Sequence, residues 1–363
     1  MKNRFSPKTF GHFETFLSRK PYGLSALDGE IFKIDDPFGL RRAIVPVFLS
    51  NPDGSFLGAG TAFHIDGSGT LLTADHVIDV VRDKYLHKLA PNALIPIDIR
   101  SSTHATVLLS NGVTFGTIRI PDECWLPINK INSFITEKEV DPIAVLRGNN
   151  QSYIVGPDLA AMKVNNQSER YLLNSIKVNL NAIPKIGDLV LAVGYPELNF
   201  TSLRENDLIN YLNEGMFGVY GKVINTYKDG RSKSRPSPGF EVEAEWPPGM
   251  SGGPVFNQDG EVIGVVSSSV QGGKNEAGVG YAASLGMTQN IEDLLPHLDK
   301  DNPGYRYCLG IHKINQGELE YVFPIEENLK HAEIPCIEGC QLSLISHEMG
   351  TDNYMSKKLY RTF

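Results

Sequence analysis

The sequence predicts an all-β protein, a barrel or a sandwich, from three features. Short apolar or alternating runs recur along most of the chain, turn residues separate them, and long stretches of helical period are few. The 363 residues include 35 glycines and 22 prolines, enough to punctuate many short strands.

The runs begin at Arg41. Ala43–Leu49, Gly60–Ile65 and Thr70–Thr73 are separated by Asn51-Pro-Asp-Gly54 and Asp66-Gly-Ser-Gly69, the pattern of antiparallel strands joined by tight turns. Leu94–Arg100, Ala105–Leu109, Val113–Ile120 and Ile143–Arg147 continue the series. Asn149 to Asn174 mixes Asn, Gln, Ser and Gly and reads as a connection between two halves. A second series follows at Ser175–Leu180, Leu189–Val193, Val219–Tyr227, Phe240–Glu245, Pro254–Phe256, Val262–Ser267 and Val279–Ala283. Met287–Leu298 is predicted to be a helix, because Ile291, Leu294, Leu295 and Leu298 share one face.

Charge narrows the function classes. A formal net charge of −8 disfavours nucleic acid and anionic lipid as general partners. The one basic cluster, Lys228, Arg231, Lys233 and Arg235, sits among Gly and Ser and reads as a solvated loop. Residues 1–20 lack the apolar core of a secretory signal, and no apolar run reaches the ~18 residues of a membrane span. The four cysteines are too few and too unevenly placed for a disulfide framework. A cytoplasmic protein is expected. Cys336 and Cys340 lie near His331 and His347, but the spacing fits no zinc pattern; neither metal nor cofactor is expected.

Pro248-Gly-Met-Ser-Gly-Gly-Pro-Val255 carries the strongest chemical signal. A serine hydroxyl becomes a useful nucleophile when its backbone projects it into a cleft beside a base. Small neighbours allow that approach, and the amides of Gly249 and Ser251 can then point together at a developing oxyanion. The base is His76 in Thr73-Ala-Asp-His-Val77, between an apolar strand and a helical turn running through Val81. An imidazole titrates near neutrality, so it can take the serine proton and later return it. His64 and His104 lie in plain strand contexts and carry no such role.

Leu72-Thr-Ala-Asp-His-Val77 and Gly249-Met-Ser-Gly-Gly-Pro254 resemble the histidine and serine motifs of the trypsin-like peptidases, most closely the disulfide-free bacterial members such as the high-temperature-requirement proteases. The resemblance implies two antiparallel six-stranded β-barrels with a triad at their junction. It divides the chain into an N-terminal extension (1–40), a first barrel (41–165), a second barrel with its closing helix (166–300) and a C-terminal extension or small appended module (301–363). The triad acid it implies is Asp141, in Val140-Asp-Pro-Ile-Ala-Val-Leu146, where an aspartate precedes an apolar, small, apolar run; Pro142 is an extra residue in that pattern, and Asp98 is the competitor. It also assigns the oxyanion hole to Gly249 and Ser251, and substrate contacts to Glu245, Ser267, Ser268, Ser269 and Gly280. Met250 stands where digestive members carry an aspartate, so activation by cleavage of a leading peptide is not expected.

The expected activity is hydrolysis of a polypeptide by a serine endopeptidase, with a regulatory protein partner acting through the terminal extensions. The alternative is a catalytically silent peptide-binding module on the same fold. An α/β-hydrolase esterase is disfavoured, because its histidine would follow the serine in the chain.

Overall fold

The computed structural model describes residues 9–10, 31–34, 39–50, 56–66, 69–86, 94–98, 105–108, 125–134, 137–140, 152–164, 175–196, 216–232, 235, 237–273, 278–314, 319–324, 338–348 and 353–362. Two seven-stranded antiparallel sheets dominate it, and in each a ring of six strands closes. The first ring comprises β1 (Ile44–Ser50), β2 (Phe56–His64), β3 (Thr70–Thr73), β4 (Ala105–Leu108), β5 (Trp125–Phe134) and β6 (Ala160–Val164). Its order is β6-β3-β2-β1-β4-β5, and β5 pairs back onto β6. The second comprises β7 (Leu189–Gly194), β8 (Phe217–Tyr227), β9 (Gly239–Glu243), β10 (Pro254–Phe256), β11 (Val262–Val270) and β12 (Val279–Ser284). It runs β7-β10-β11-β12-β9-β8, and β8 pairs back onto β7. Closure gives each ring strand two neighbours. The architecture is the all-β double barrel.

Each barrel strand carries the apolar alternation or double-sided apolar run that closure requires. β3 is buried along its whole length, because one face fills the barrel and the other meets neighbouring elements. One continuous apolar cluster runs from Val45, Phe63 and Leu71 through Leu191, Val193 and Tyr195 to Leu294 and Leu298. A second, with Phe217, Phe240, Val242, Trp246 and Met250, fills the second barrel.

Further strands attach to this frame. Ile31–Lys33 adds to β8, with Phe32 stacked on Tyr220 at 5.0 Å between ring centroids. Leu94–Asp98 pairs with β5. A separate four-stranded sheet follows the second barrel: β13 (Tyr305–Lys313), β14 (Leu319–Pro324), β15 (Cys340–Glu348) and β16 (Tyr354–Thr362), in the order β14-β13-β15-β16. Arg306 fastens it to the first barrel by donating from Nη1 to the Asp66 carbonyl at 2.5 Å. Asp299, itself buried, accepts from Ser346 Oγ at 2.5 Å and pairs with Lys357 at 3.1 Å.

The structure corrects two sequence expectations. The helix expected over Met287–Leu298 is confined to Ile291–Leu294. Pro296 has no N–H to donate and pushes Leu295 out of the helical region, to φ −125° and ψ 56°. The four apolar residues are buried nonetheless. The stretch from Asn149, read as a connection, contains two strands, Ser152–Val155 and β6, the latter closing the first barrel. The runs expected at Val113–Ile120 and Ile143–Arg147 lie outside the described residues.

His64 is fully buried and neither ring nitrogen has a hydrogen-bond partner. Burial lowers its pKa to about 4, against the opposing charge of Asp66 and with help from Lys163. A histidine held neutral in the fold but free to titrate near 6.5 when unfolded leaves stability intact above pH 6.5. That stability is lost as pH falls toward 4. We expect this one residue to remove about 3 kcal/mol by pH 4. Urea unfolding of His64→Leu against wild type from pH 7 to 4 checks this, and equal acid sensitivity of the two proteins would refute it.

Candidate active site

β3 ends at Thr73, and a helix, α1 (Asp75–Leu86), starts two residues later with an aspartate in its first turn, where the helix dipole favours an anion. His76 therefore leaves the barrel wall at a fixed angle, with 44 % of its side chain exposed. Its Nδ1 lies 3.0 and 2.9 Å from the two carboxylate oxygens of Asp158, and its backbone N–H donates to Oδ1 at 3.1 Å. A carboxylate only accepts, so Nδ1 carries the proton and Nε2 presents a lone pair.

Asp158 sits in the turn entering β6, where Leu159 N–H donates to Pro157 O at 2.8 Å. Its own N–H donates to Ser237 Oγ at 2.9 Å, and its Oδ2 accepts from Ser267 Oγ at 2.5 Å. Burial works against the carboxylate, but the bonds from His76 and Ser267 prevail and hold its pKa below the usual value. For His76, burial favours the neutral ring, while Asp158 and the charge of Asp79 prevail and raise its pKa above 6.5.

Ser251 lies on the loop between β9 and β10. Gly249 has φ 94° and Gly252 φ 85°, a region that favours glycine. A Cβ on Gly252 would lie 2.0 Å from Thr61 O and 2.2 Å from Thr73 Oγ1. The loop is thus pressed against the strands that lead into His76. A Cβ on Gly60 would lie 2.7 Å from Ser251 O and 2.9 Å from the Val77 side chain, which sets the serine backbone beside the start of α1. Ser251 Oγ donates to the Ser267 carbonyl at 3.4 Å, a long bond.

The amides of the loop divide into two groups. Met250 N–H donates to Pro247 O, Gly252 N–H to Val266 O and Gly253 N–H to Met250 O, at 3.2, 2.8 and 2.9 Å. Among the described residues those of Gly249 and Ser251 have no internal acceptor. Thr61 holds the loop from the first barrel: its Oγ1 donates to Gly249 O at 2.8 Å and its N–H to Ser251 O at 2.8 Å.

Ser267 is placed by a bulge. β11 and β12 slip register between Val266 and Ser268, so Ser267 has no partner across the ladder. Bulges re-aim side chains; here the hydroxyl reaches Asp158 while the carbonyl receives Ser251. Ser269 pairs with Gly280 across the ladder and accepts the Trp246 N–H at 3.0 Å. A hollow of about 260 Å³ beside Ser251 is lined by Glu245, Trp246, Pro247, Val266, Ser268 and Ser269 among others. Glu245 accepts from Gly272 N–H at 3.4 Å. The Trp246 ring lies where a Cβ on Gly280 would stand, 2.5 Å from its nearest ring atom.

Of the residues singled out in the sequence, the fold gathers His76, Gly249, Ser251, Ser267, Ser268, Ser269, Glu245 and Gly280 around this cleft. Asp141 lies outside the described residues, and Asp98 ends a strand opposite Lys130. The carboxylate on His76 is Asp158, which sequence reasoning missed. The signal was present: Asp158-Leu-Ala-Ala-Met162 is an aspartate followed by an apolar and a small residue with no intervening proline. Of the suggested thiol and histidine grouping, His331 and Cys336 lie outside the described residues, and Cys340 is a buried free thiol. Among the described residues no group of three His, Cys, Asp or Glu could hold a metal ion, and no helix is long and apolar enough to cross a membrane.

The family description trypsin-like peptidase domain matches residues 60–265, more than half of the chain. The chain belongs to the trypsin-like peptidase family. It is 26 % identical over 189 residues to Protease Do-like 2, chloroplastic, of Arabidopsis thaliana, covering 50 % of this chain and 28 % of that protein. It is 28 % identical over 141 residues to the serine endoprotease DegS of Escherichia coli, covering 38 % of this chain and 35 % of DegS. A probable periplasmic serine endoprotease, DegP-like, of Pseudomonas fulva is 26 % identical over 152 residues, 41 % of this chain and 27 % of that protein. The chain thus spans roughly a third or less of the length of each of these relatives.

Thr61 is fully buried, and its Oγ1 also accepts the N–H of buried Tyr195 at 3.0 Å. Thr61→Val keeps the shape and leaves that donor unsatisfied, at a cost of about 1–3 kcal/mol. Thr61→Ser retains the bond. Urea unfolding should order the proteins as wild type, then serine, then valine; a valine variant as stable as wild type would contradict the assignment.

Proposed function

We propose that the chain is a serine endopeptidase that cleaves polypeptides through an acyl-enzyme on Ser251, with His76 as general base and Asp158 as the acid of the triad. The observation that carries the reading is the seating of His76 Nδ1 on Asp158, at 2.9 Å, beside a serine loop packed onto the start of the same helix. In this reading Oγ of Ser251 leaves its long bond to the Ser267 carbonyl and turns toward Nε2 of His76. It then attacks the scissile carbonyl carbon as its proton passes to Nε2, and the carbonyl oxygen becomes an oxyanion. The amides of Gly249 and Ser251 donate to that oxygen, each worth about 3 kcal/mol of barrier. Collapse breaks the C–N bond, and His76 returns the proton to the leaving amine. A water then repeats the sequence on the acyl-enzyme, with His76 again taking and returning the proton. Side chains and amides carry each step, without a cofactor.

Substrate adds as a strand along Ser267–Ser269, and the side chain before the cut enters the hollow above Trp246. Glu245, Ser268 and Ser269 line that hollow. Residues 41–165 and 166–300 make the catalytic unit in this reading, and 1–40 and 301–363 are the segments through which a regulatory protein would act. The buried free thiols Cys308 and Cys340 fit the reducing cytoplasm, which we retain as the proposed location; relatives are named as chloroplastic and periplasmic proteins.

Labelling by a fluorophosphonate separates a peptidase from a silent binding module. Wild type is expected to label at Ser251 and Ser251→Ala to remain unlabelled; a native wild type that never reacts would favour the binder. The assignment of the acid has its own test. Asp158→Asn should lower kcat by about 10³–10⁴, because the amide favours the wrong imidazole tautomer, while Asp141→Asn should stay within about twofold of wild type by the same reasoning. The reverse result would restore Asp141. The pH profile adds a check: a raised His76 pKa means that kcat/KM rises with pH through a midpoint above 6.5 in wild type. With Asp158 neutralised, burial is opposed by the charge of Asp79 alone and the midpoint moves to lower pH.

A further inference from the structure

A second hollow, of about 330 Å³, lies beside the His76–Asp158 pair, and its wall includes Tyr227, Arg231, Arg235, Ser267, Ser268 and Tyr281. The arginines belong to the basic cluster that the sequence suggests is a solvated loop. In the structure they line a cavity. Arg231 N–H donates to Arg235 O at 3.0 Å and Arg235 N–H to Ser232 O at 2.9 Å, so a tight turn between β8 and β9 carries both side chains. The Arg231 guanidinium rests on the Tyr281 ring, with Cζ 3.4 Å from its centroid. An aromatic face orients a guanidinium without neutralising it.

Among the described residues neither arginine forms a salt bridge. The carboxylate in the cavity wall is Asp158, and both of its oxygens are engaged by His76 and Ser267. Glu241 stands opposite Tyr281 in the ladder and is engaged by Tyr227; two cations without a salt bridge in the wall of a concave site remain open to an anion from outside.

Position decides which anion. This hollow shares Ser268 with the hollow beside Ser251, and the two are otherwise lined by different residues. They flank the segment Ser267–Ser269. Side chains of an added strand alternate in direction. If the residue before the cut enters the hollow at Ser251, those two and four places before the cut face the arginines. We propose that Arg231 and Arg235 form a subsite for a substrate carboxylate, an aspartate or glutamate two or four residues before the scissile bond.

This inference rests on the peptidase reading, and its test has one arm that depends on that reading and one that does not. In the first, wild type is profiled on peptides with Asp or Glu at these positions against the Asn or Gln isosteres. A preference of about tenfold in kcat/KM is expected, one decade of discrimination for a charge-assisted pair. The preference should fall below about twofold in the Arg231→Gln, Arg235→Gln double variant, with rates on acidic peptides falling far more than those on neutral ones, and should shrink between 50 and 500 mM salt through screening. In the second, fluorescein-labelled acidic octapeptides and their amide isosteres are titrated into Ser251→Ala by anisotropy, with and without the arginine pair. Tighter binding of the acidic peptide that disappears with the arginines supports the subsite even if wild type proves inactive and fails to label. Equal binding and equal kcat/KM for acidic and amide peptides overturns it, as does an acidic preference that survives the double variant or is indifferent to salt. If the double variant unfolds, the single Arg235→Gln variant, at an exposed position, reads the same preference at reduced size.

Discussion

Four hydrogen bonds converge on one buried threonine. Thr61 belongs to the first barrel, yet its hydroxyl and amide hold Gly249 and Ser251 of the second, its hydroxyl receives Tyr195, and its carbonyl receives Thr73 Oγ1 at 2.7 Å. Thr73 precedes His76 by three residues, so the strand that aims the histidine and the loop that carries the serine meet on the same residue, through its backbone and its hydroxyl together. The barrels could otherwise slide, because an apolar interface resists separation far better than it resists lateral motion. Directional bonds at a buried junction fix the register, and the proposed proton transfer depends on such positioning.

The bulge at Ser267 is the second device. One extra residue in β11 turns a ladder position into a polar bridge, with a hydroxyl on Asp158 and a carbonyl facing Ser251. Its neighbour Ser269, back in register, ties β11 to Trp246 instead. A single irregularity thus lets one strand support the acid–imidazole pair and the wall of the substrate hollow.

Much of this was legible in the sequence. Short apolar runs with Asx–Gly and Gly–Ser turns announced the barrels, because closure makes strand periodicity and turn chemistry agree. His76 and Ser251 were visible because each sits in a motif whose small neighbours are demanded by close packing, as Gly252 shows against Thr61 and Thr73. Asp158 was hidden by its surroundings. Polar residues on either side made its segment look like a connection, and the strand that follows it is five residues long and relies on Ala and Met, weak strand formers. Pairing with β3 and β5, far away in the chain, makes it a strand. Pro296 was a local signal against a long helix, overridden by an apolar face that is buried even without helical geometry.

The strand Ile31–Lys33 lies opposite Phe217–Val219, with the whole first barrel between them in the chain. A nascent chain that has made this segment must add the whole first barrel before its mate exists. Its contact therefore belongs to the slow, non-local class that contact order penalises, and until β8 appears the apolar Ile31 and Phe32 have no native place to go. The closed second barrel thus carries on β8 an outer strand that precedes the first barrel in the chain, so the polypeptide is buckled back across its own earlier path.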